Sequence, residues 1–202
     1  MSTRGVGSDT PAADLPDDPL QYDAMAAEYA AHNAQSAFNA YYERPATMAM
    51  LGDVSGRRVL ELGCGPGVLT EWLVDGGATV AAVDASSAMV ELVRTRVGDR
   101  ADLIVADIAA PLAFAASHTF DLVVASLVLH YVRDWLAVLT EVRRVVTADG
   151  SVVFSTHHPF MDAKLFSADD YFAVKRIVDT WGDDSGGRIG FWRRPLTAMT
   201  EA

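Results

Sequence analysis

The chain has 202 residues, half of them hydrophobic and 21% charged, which predicts one domain with a sizeable core. Its 27 acidic and 16 basic side chains give a formal net charge of -11, whereas a nucleic-acid partner requires a basic surface. A small-molecule substrate is therefore expected. The single cysteine, Cys64, excludes an intrachain disulfide and favours the cytoplasm. Because residues 1–18 lack a secretory pattern and no apolar run reaches bilayer-spanning length, no membrane partner is expected.

The first quarter of the chain is predicted to be an arm followed by helices. Residues 1–18 are rich in Gly, Ser, Pro, Asp and Ala, a composition typical of disorder. Residues 19–57 are predicted to form a helical cap. Tyr22 and Tyr29 fall on one helical face, and Pro45 suits the first turn of a second helix.

From residue 58 to residue 158, strand-like and helix-like segments alternate. The predicted strands are Arg58–Leu62, Thr79–Asp84, Asp102–Asp107, Phe120–Ser126 and Ser151–Thr156, and the predicted helices are Val68–Val74, Ser87–Val97 and Trp135–Val146. The strands are almost continuously apolar, as expected when helices cover both faces of a sheet. The sequence therefore predicts an α/β fold with a doubly wound, mainly parallel sheet, whose ligand site lies beyond the carboxyl ends of the strands.

Acidic side chains stand at the ends of three successive predicted strands. Glu61 is followed by glycines at 63, 65 and 67, which let the backbone turn sharply and approach a ligand closely. Glu61 is placed either to order this loop or to receive an amino group. Asp84 is placed to accept hydrogen bonds from two ribose hydroxyls. Asp107 is placed to accept from an exocyclic amine, with Ile108 packing on the base. These positions suit a cationic cofactor with a ribose, an adenine and an amino-acid tail.

Five segments form an ordered set of motifs. They are Glu61–Gly67 for the glycine motif, Val83–Met89 for the ribose, Ala106–Ile108 for the adenine, Phe120–Ser126 for the fourth strand, and Leu139–Val145 with Asp149 and Gly150 before the fifth. With this set the chain resembles the class I S-adenosylmethionine-dependent methyltransferases, in particular the small-molecule branch called methyltransferase type 11. The resemblance covers residues 22–158.

That resemblance implies S-adenosyl-L-methionine as the cofactor and S-adenosyl-L-homocysteine as its product. It implies cofactor contacts for Tyr22, Tyr29, Glu61, Gly63, Cys64, Gly65, Gly67, Asp84, Ala85, Met89, Asp107, Ile108, Ser126 and Leu127. Cys64 is expected to serve as a small residue that fits the loop, because no cation near it in sequence would activate its thiol as a nucleophile. Tyr22 and Tyr29 would belong to a helix that closes over the cofactor.

The expected reaction is in-line methyl transfer to a small, apolar or aromatic acceptor. If the acceptor must lose a proton, His130, His157 and His158 are the candidate bases. No metal site is expected, because neighbouring residues on a strand, such as His157 and His158, point to opposite faces.

Three other functions stay open on the residues alone. A dinucleotide site shares the first glycines, but it requires a third glycine where Val68 stands, and it gives Glu61 and Asp107 no role. The others are a protein that binds the cofactor without transferring its methyl group, and a methyltransferase acting on a protein.

Residues 159–202 are predicted to cover the substrate and to begin an incomplete C-terminal part. Their rings are Phe160, Phe166, Tyr171, Phe172, Trp181, Phe191 and Trp192. The sheet of the family continues with a helix and two further strands, whereas the sequence stops at Ala202, so these strands are expected to be missing. The edge of the fifth strand would then be covered by Arg188–Arg193, be covered by a second molecule in a homodimer, or stay open in a truncated form.

Overall fold

A five-stranded parallel sheet forms the centre of the protein. The structure, a computed structural model, describes residues 20–166, 170–180 and 187–202; the predicted disordered arm and Trp181 lie outside these ranges. The strands are β1 (Arg58–Leu62), β2 (Thr79–Asp84), β3 (Ala101–Val105), β4 (Phe120–Ser126) and β5 (Val146–Ser155). They lie in the order β3-β2-β1-β4-β5, and every neighbouring pair is parallel. The predicted fold class is confirmed.

Helices cover both faces of this sheet. They are α3 (Val68–Asp75) and α4 (Ser87–Val97) on one face and α5 (Trp135–Val145) on the other, as the two apolar clusters of the core show. Successive residues of β1 serve opposite faces, since Val59 packs in the cluster of α3 and α4 and Leu60 in that of α5. Both side chains are fully buried. This two-sided burial explains the continuous apolarity of the strands.

The strand order opens a crevice at the site of ligand binding in such folds. The chain runs outward from β1 to β3 and then returns to β4 on the other side of β1. The loops that leave β1 and β4 therefore diverge, and a space opens beyond their carboxyl ends. Side-chain caps fix two of the helices there: Ser86 Oγ accepts from Met89 N at 3.1 Å, and Asp134 Oδ1 accepts from Ala137 N at 3.1 Å.

The N-terminal residues fold into a helical cap, consistent with the expectation from the sequence. It comprises a 3₁₀ turn (Asp23–Met25), α1 (Ala26–Gln35), a π-helix (Asn39–Glu43) and α2 (Arg44–Leu51). Among the residues that the structure describes, no helix has the length and apolarity needed to cross a bilayer.

Three consecutive residues fasten this cap to three different parts of the protein. The Gln21 amide exchanges hydrogen bonds with the backbone N–H and carbonyl of Gly190. The Tyr22 hydroxyl bonds to that of Tyr131, and the Asp23 carboxylate accepts from the hydroxyl of Ser86 and from the following helix start. The cap is thereby held over the carboxyl edge of the sheet.

The predicted bounds of β3 and β5 were wrong at both ends. β3 ends at Val105, so Asp107 lies in the turn that follows, where it accepts a hydrogen bond from Ala109 N at 2.9 Å. β5 begins at Val146, before the predicted Asp149-Gly150 turn, because the residues between Val146 and Ser151 bulge out of register with β4.

β5 also ends earlier than predicted, at Ser155. His157 and His158 therefore lie beyond the strand, and the opposite-face argument used for them does not apply.

The segment after β5 does not cover the edge of the sheet in the way that one alternative proposed. It forms α6 (Pro159–Leu165), β6 (Lys175–Thr180), β7 (Arg188–Arg193) and α7 (Leu196–Thr200). β7 pairs antiparallel with β6 in a separate two-stranded sheet, and the buried Arg194 anchors it by donating to the carbonyl of Val132. Within the described ranges, β4 is the only strand that pairs with β5.

We expect Gly63→Ala to destabilise the protein more than Gly98→Ala. Both glycines have positive φ, at 70° and 60°, so alanine costs roughly 1–2 kcal/mol at either position. Only at Gly63 would the new Cβ collide, lying 2.4 Å from Cγ2 of Val128 and 2.6 Å from its Cβ, which adds about 1–3 kcal/mol. Urea unfolding of both variants without ligand measures the difference, and equal losses would contradict the steric account.

Candidate active site

A cavity of about 350 Å³ lies beyond the carboxyl ends of β1, β2 and β4, within the size range of small-molecule sites. The glycine loop after β1 forms its floor, and the cap closes it from the other side. Of the residues predicted to hold the cofactor, all except Gly67 line it. Gly67 instead lets α3 approach α4, because a Cβ there would lie 3.1 Å from Val93 Cα.

Asp84 ties the end of β2 to the glycine loop. One carboxylate oxygen accepts from Gly65 N and the other from Ser86 N, each at 2.9 Å. Burial raises the pKa of this carboxyl, and the two backbone N–H groups oppose the shift. A carboxylate has further lone pairs beyond these two bonds, so Asp84 can still accept from a ligand in the cavity.

Glu61 is a buried acid at the base of the same cavity. Its side chain is 2% exposed, and the Thr70 hydroxyl donates to Oε2 at 2.6 Å. Burial raises the pKa of Glu61 to about 8, against the effect of the Thr70 hydrogen bond. Among the described residues no basic side chain forms an ion pair with it. A buried carboxyl that lacks a cation fits a ligand that carries one.

The adenine motif and the aromatic residues form the remaining walls. Ile108 and Met89 are buried and expose part of their surface to the cavity beside Asp107. Tyr22 packs edge-on against Tyr29, with ring centroids 4.8 Å apart. Burial raises the pKa of both tyrosines, so their hydroxyls stay protonated near neutrality.

The three predicted catalytic histidines do not line the cavity. His130 is buried and stacks on His157 with ring centroids 3.9 Å apart, and burial lowers the pKa of His130. His157 Nδ1 lies 3.5 Å from Asp162 Oδ1, and His158 is exposed. These imidazoles therefore do not line the cavity, and no contact with it supports a role for them in proton transfer.

The aromatic residues after β5 do not line the cavity either, as far as the described ranges extend. Phe191 is buried against His157, with centroids 4.9 Å apart, whereas Phe160 and Phe172 are largely exposed. The predicted aromatic cover is therefore not part of this cavity wall; Phe191 instead packs on the residues that follow β4 and β5.

The polar wall of the cavity comes from the cap, and the sequence reading missed it. Its side chains are Asn33, Asn39, Glu43, Arg44 and Thr47. Three of them stand four residues apart, a spacing that places side chains on one helical face. The sequence signal for this wall was the polar stripe of Asn39, Glu43 and Thr47 within a helical segment that is rich in Ala and Tyr.

No cluster of three or more His, Cys, Asp or Glu side chains that could hold a metal ion occurs in the ranges that the structure covers. The side chains that line the cavity beside the glycine loop carry carboxylates, amides, hydroxyls, one thiol and the guanidinium groups of Arg44 and Arg133.

Comparison with known proteins defines the class to which this fold and site belong. The family model described as "Methyltransferase domain" matches residues 60–154. The ubiquinone biosynthesis O-methyltransferase of Thiobacillus denitrificans is 31% identical over 105 residues, covering 51% of this chain and 45% of that protein. The malonyl-[acyl-carrier protein] O-methyltransferase of Legionella pneumophila is 34% identical over 134 residues, covering 62% and 46%. The chain spans about half the length of the curated relatives it matches.

Solved structures agree with these matches. The DhpI–SAM–HEP complex superimposes with a TM-score of 0.65 at 26% identity, covering 89% of this chain and 82% of that one. The fold is thus that of an S-adenosylmethionine-dependent methyltransferase domain. Residues 60–154 thus form a methyltransferase domain of the class I S-adenosylmethionine-dependent type.

We expect Glu61→Gln to stabilise the ligand-free protein increasingly as the pH rises. The folded-state pKa of about 8 lies above the ordinary glutamate pKa of 4.5. Between these values the unfolded chain releases a proton that the folded protein keeps, so the Glu61 carboxyl lowers stability progressively with rising pH. The amide cannot ionise, and it lacks this effect. Urea midpoints of both proteins from pH 6 to 8.5 should diverge and then level off above pH 8; a constant difference would refute the shift.

Proposed function

We propose that the chain transfers a methyl group from S-adenosyl-L-methionine to a small-molecule acceptor within this cavity. One observation carries the proposal: Glu61, Asp84 and Asp107 line a single cavity beside the glycine loop. The charge of Asp84 opposes ionisation of the buried Glu61, and a cation or hydrogen-bond donors between these acids would relieve that interaction. A ligand with an ammonium, a sulfonium, ribose hydroxyls and an exocyclic amine supplies both.

The residues present fit that cofactor along the whole cavity. Asp84 would accept from the ribose hydroxyls, Asp107 from the adenine amine, and Glu61 would bind the ammonium of the amino-acid tail. When bound, the cofactor would supply an electrophilic methyl group on a positively charged sulfur. The protein would hold the reacting groups in line and exclude water, and Tyr22 and Tyr29 would close the cavity.

Arg44 is the residue that we propose for the carboxylate of the tail. Its guanidinium lines the cavity and donates to Asn33 Oδ1 at 2.7 Å. Its charge interacts with that of Arg96, whose Nε donates to the carbonyl of Pro66 in the glycine loop. Arg44 lines the same cavity as the loop that would hold the tail, and arginine suits a planar carboxylate.

The acceptor is proposed to be methylated on oxygen. Both curated relatives described above carry the name O-methyltransferase, and the cap gives the cavity a polar wall suited to a hydroxylated molecule. The apolar, ring-covered acceptor expected from the sequence loses its main support, because the rings after β5 that the structure describes lie away from the cavity.

Asp84→Asn is expected to weaken binding of S-adenosylhomocysteine by about 10- to 100-fold, because hydrogen bonds to a charged group contribute roughly 1.5–3 kcal/mol. Asp102→Asn, an exposed aspartate on β3, is the matched control and should bind like wild type. Titration calorimetry measures both. If wild type binds no S-adenosylhomocysteine, or Asp84→Asn binds equally well, the cofactor assignment fails.

Arg44→Gln is expected to discriminate between two ligands that differ in the amino-acid tail. Binding of S-adenosylhomocysteine should weaken by about 10-fold or more. Binding of 5′-methylthioadenosine, which lacks the tail, should stay within about twofold of wild type by the same reasoning. Arg94→Gln, a surface residue of α4 paired with Glu91, serves as the control. Equal losses for both ligands would show that Arg44 acts on the adenosine end or on the fold.

A further inference from the structure

Glu43 links the cap to the ends of two neighbouring strands through one oxygen. Its Oε1 accepts from Ser126 Oγ at 2.7 Å, from Ser155 Oγ at 2.6 Å and from Thr47 Oγ1 at 2.8 Å. Ser126 and Ser155 are register partners at the carboxyl ends of β4 and β5. Glu43 is the last residue of the π-helix, a distortion that often marks functional positions.

The second oxygen of this carboxylate, Oε2, accepts no hydrogen bond from the described residues. Glu43 lines the cavity and is half-buried. Among the described residues, Oε2 has no hydrogen-bond donor and the carboxylate has no ion-pair partner. The Asn39 amide, four residues earlier, also lines the cavity and has no side-chain partner within the described part of the chain. Two polar groups on one helical face are therefore open to a ligand.

A purely structural contact does not explain this arrangement. Three hydroxyls already bond to Oε1, which holds that oxygen in place and limits the rotation of the carboxylate. Such preorganisation is what a group needs in order to bind a reacting atom with little further loss of side-chain freedom. Glu43 also lies beyond the ends of β4 and β5, whereas the proposed ribose and adenine residues follow β2 and β3.

We propose that Glu43 is the catalytic base of this site and that Asn39 binds the acceptor beside it. The inference rests on the function proposed above. The acceptor class is a small polar molecule that presents a neutral hydroxyl to Glu43 Oε2. An acceptor that presents a carboxylate or phosphate at this point would be disfavoured by the like charge of Glu43.

The step is balanced without any further reactant. The hydroxyl oxygen forms a bond to the methyl carbon while the bond from that carbon to sulfur breaks, and the electron pair stays on sulfur as a neutral thioether. The hydroxyl proton passes to Glu43 Oε2 and then to water. Ser126, Ser155 and Thr47 hold the carboxylate in place while the proton moves. Glu43 thus takes the role for which the histidines lack a contact with the cavity.

Glu43→Gln tests the proposal, because the amide oxygen can still accept from the three hydroxyls while the basic oxygen is lost. Glu28→Gln, an exposed glutamate on α1 of the same cap, is the matched control. The probes are catechol, 3,4-dihydroxybenzoate and myo-inositol as hydroxyl acceptors, with malonate as an anionic one and 1,2-dimethoxybenzene as a blank. Initial rates of S-adenosylhomocysteine formation and calorimetric binding of S-adenosylhomocysteine are measured for each protein.

The expected result is that wild type methylates at least one hydroxyl probe, and that Glu43→Gln lowers kcat/KM for it by about 100-fold or more. S-Adenosylhomocysteine should bind Glu43→Gln within about twofold of wild type, and Glu28→Gln should match wild type throughout. Asn39→Ala should raise KM for the same probe with little change in kcat.

Four results would overturn the inference. They are binding of S-adenosylhomocysteine by wild type without turnover of any hydroxyl probe, turnover of malonate alone, activity of Glu43→Gln within about twofold of wild type, and equal losses in cofactor binding and transfer. Failure of wild type to bind S-adenosylhomocysteine would refute instead the cofactor assignment itself.

Discussion

The hydrogen bonds that Asp84 accepts from Gly65 and Ser86 hold the end of one strand against the loop that leaves its neighbour. Parallel pairing of β1 and β2 brings their carboxyl ends to the same edge, and the carboxylate fixes the loop there by its backbone. Ser86 in turn caps α4 and binds Asp23 of the cap. The floor of the cavity, the helix beside it and the lid above it therefore share one point of attachment.

The electrostatics of the cavity follow from the same geometry. A sheet whose strands all run in one direction places the residues that follow them side by side, and here those residues include acids. Burial makes ionisation unfavourable, which is why the pKa of Glu61 and that of Asp84 are both raised. In the ligand-free protein, burial of these acids lowers the stability of the fold. A cationic ligand with several hydrogen-bond donors would relieve this cost, so the same residues favour ligand binding and disfavour folding.

Short sequence patterns were sufficient to predict the part of the cavity that is formed by the strand ends and the residues that follow them. Glu61, Asp84 and Asp107 line one cavity, as strand period, glycine spacing and parallel topology predict, although Asp107 lies in the turn after β3 and not at the end of the strand. Glu43 could not be placed that way, since its partners Ser126 and Ser155 lie 83 and 112 positions further along the chain. The burial of His130 could not be predicted for a related reason, since the rings of His157 and Phe191 that pack against it are distant in sequence. The early start of β5 was missed because Asp149-Gly150 has the composition of a turn even where it forms a bulge.

The three successive contacts made by Gln21, Tyr22 and Asp23 have a consequence for how ligands exchange. Their partners sit on the hairpin at Gly190, on the turn at Tyr131 and on the helix start at Ser86. Because the three residues are consecutive, a movement of their backbone away from the sheet would break all three contacts together. Opening the cavity on this side by such a movement would therefore cost more free energy than the loss of any one contact, whether a substrate enters or a product leaves.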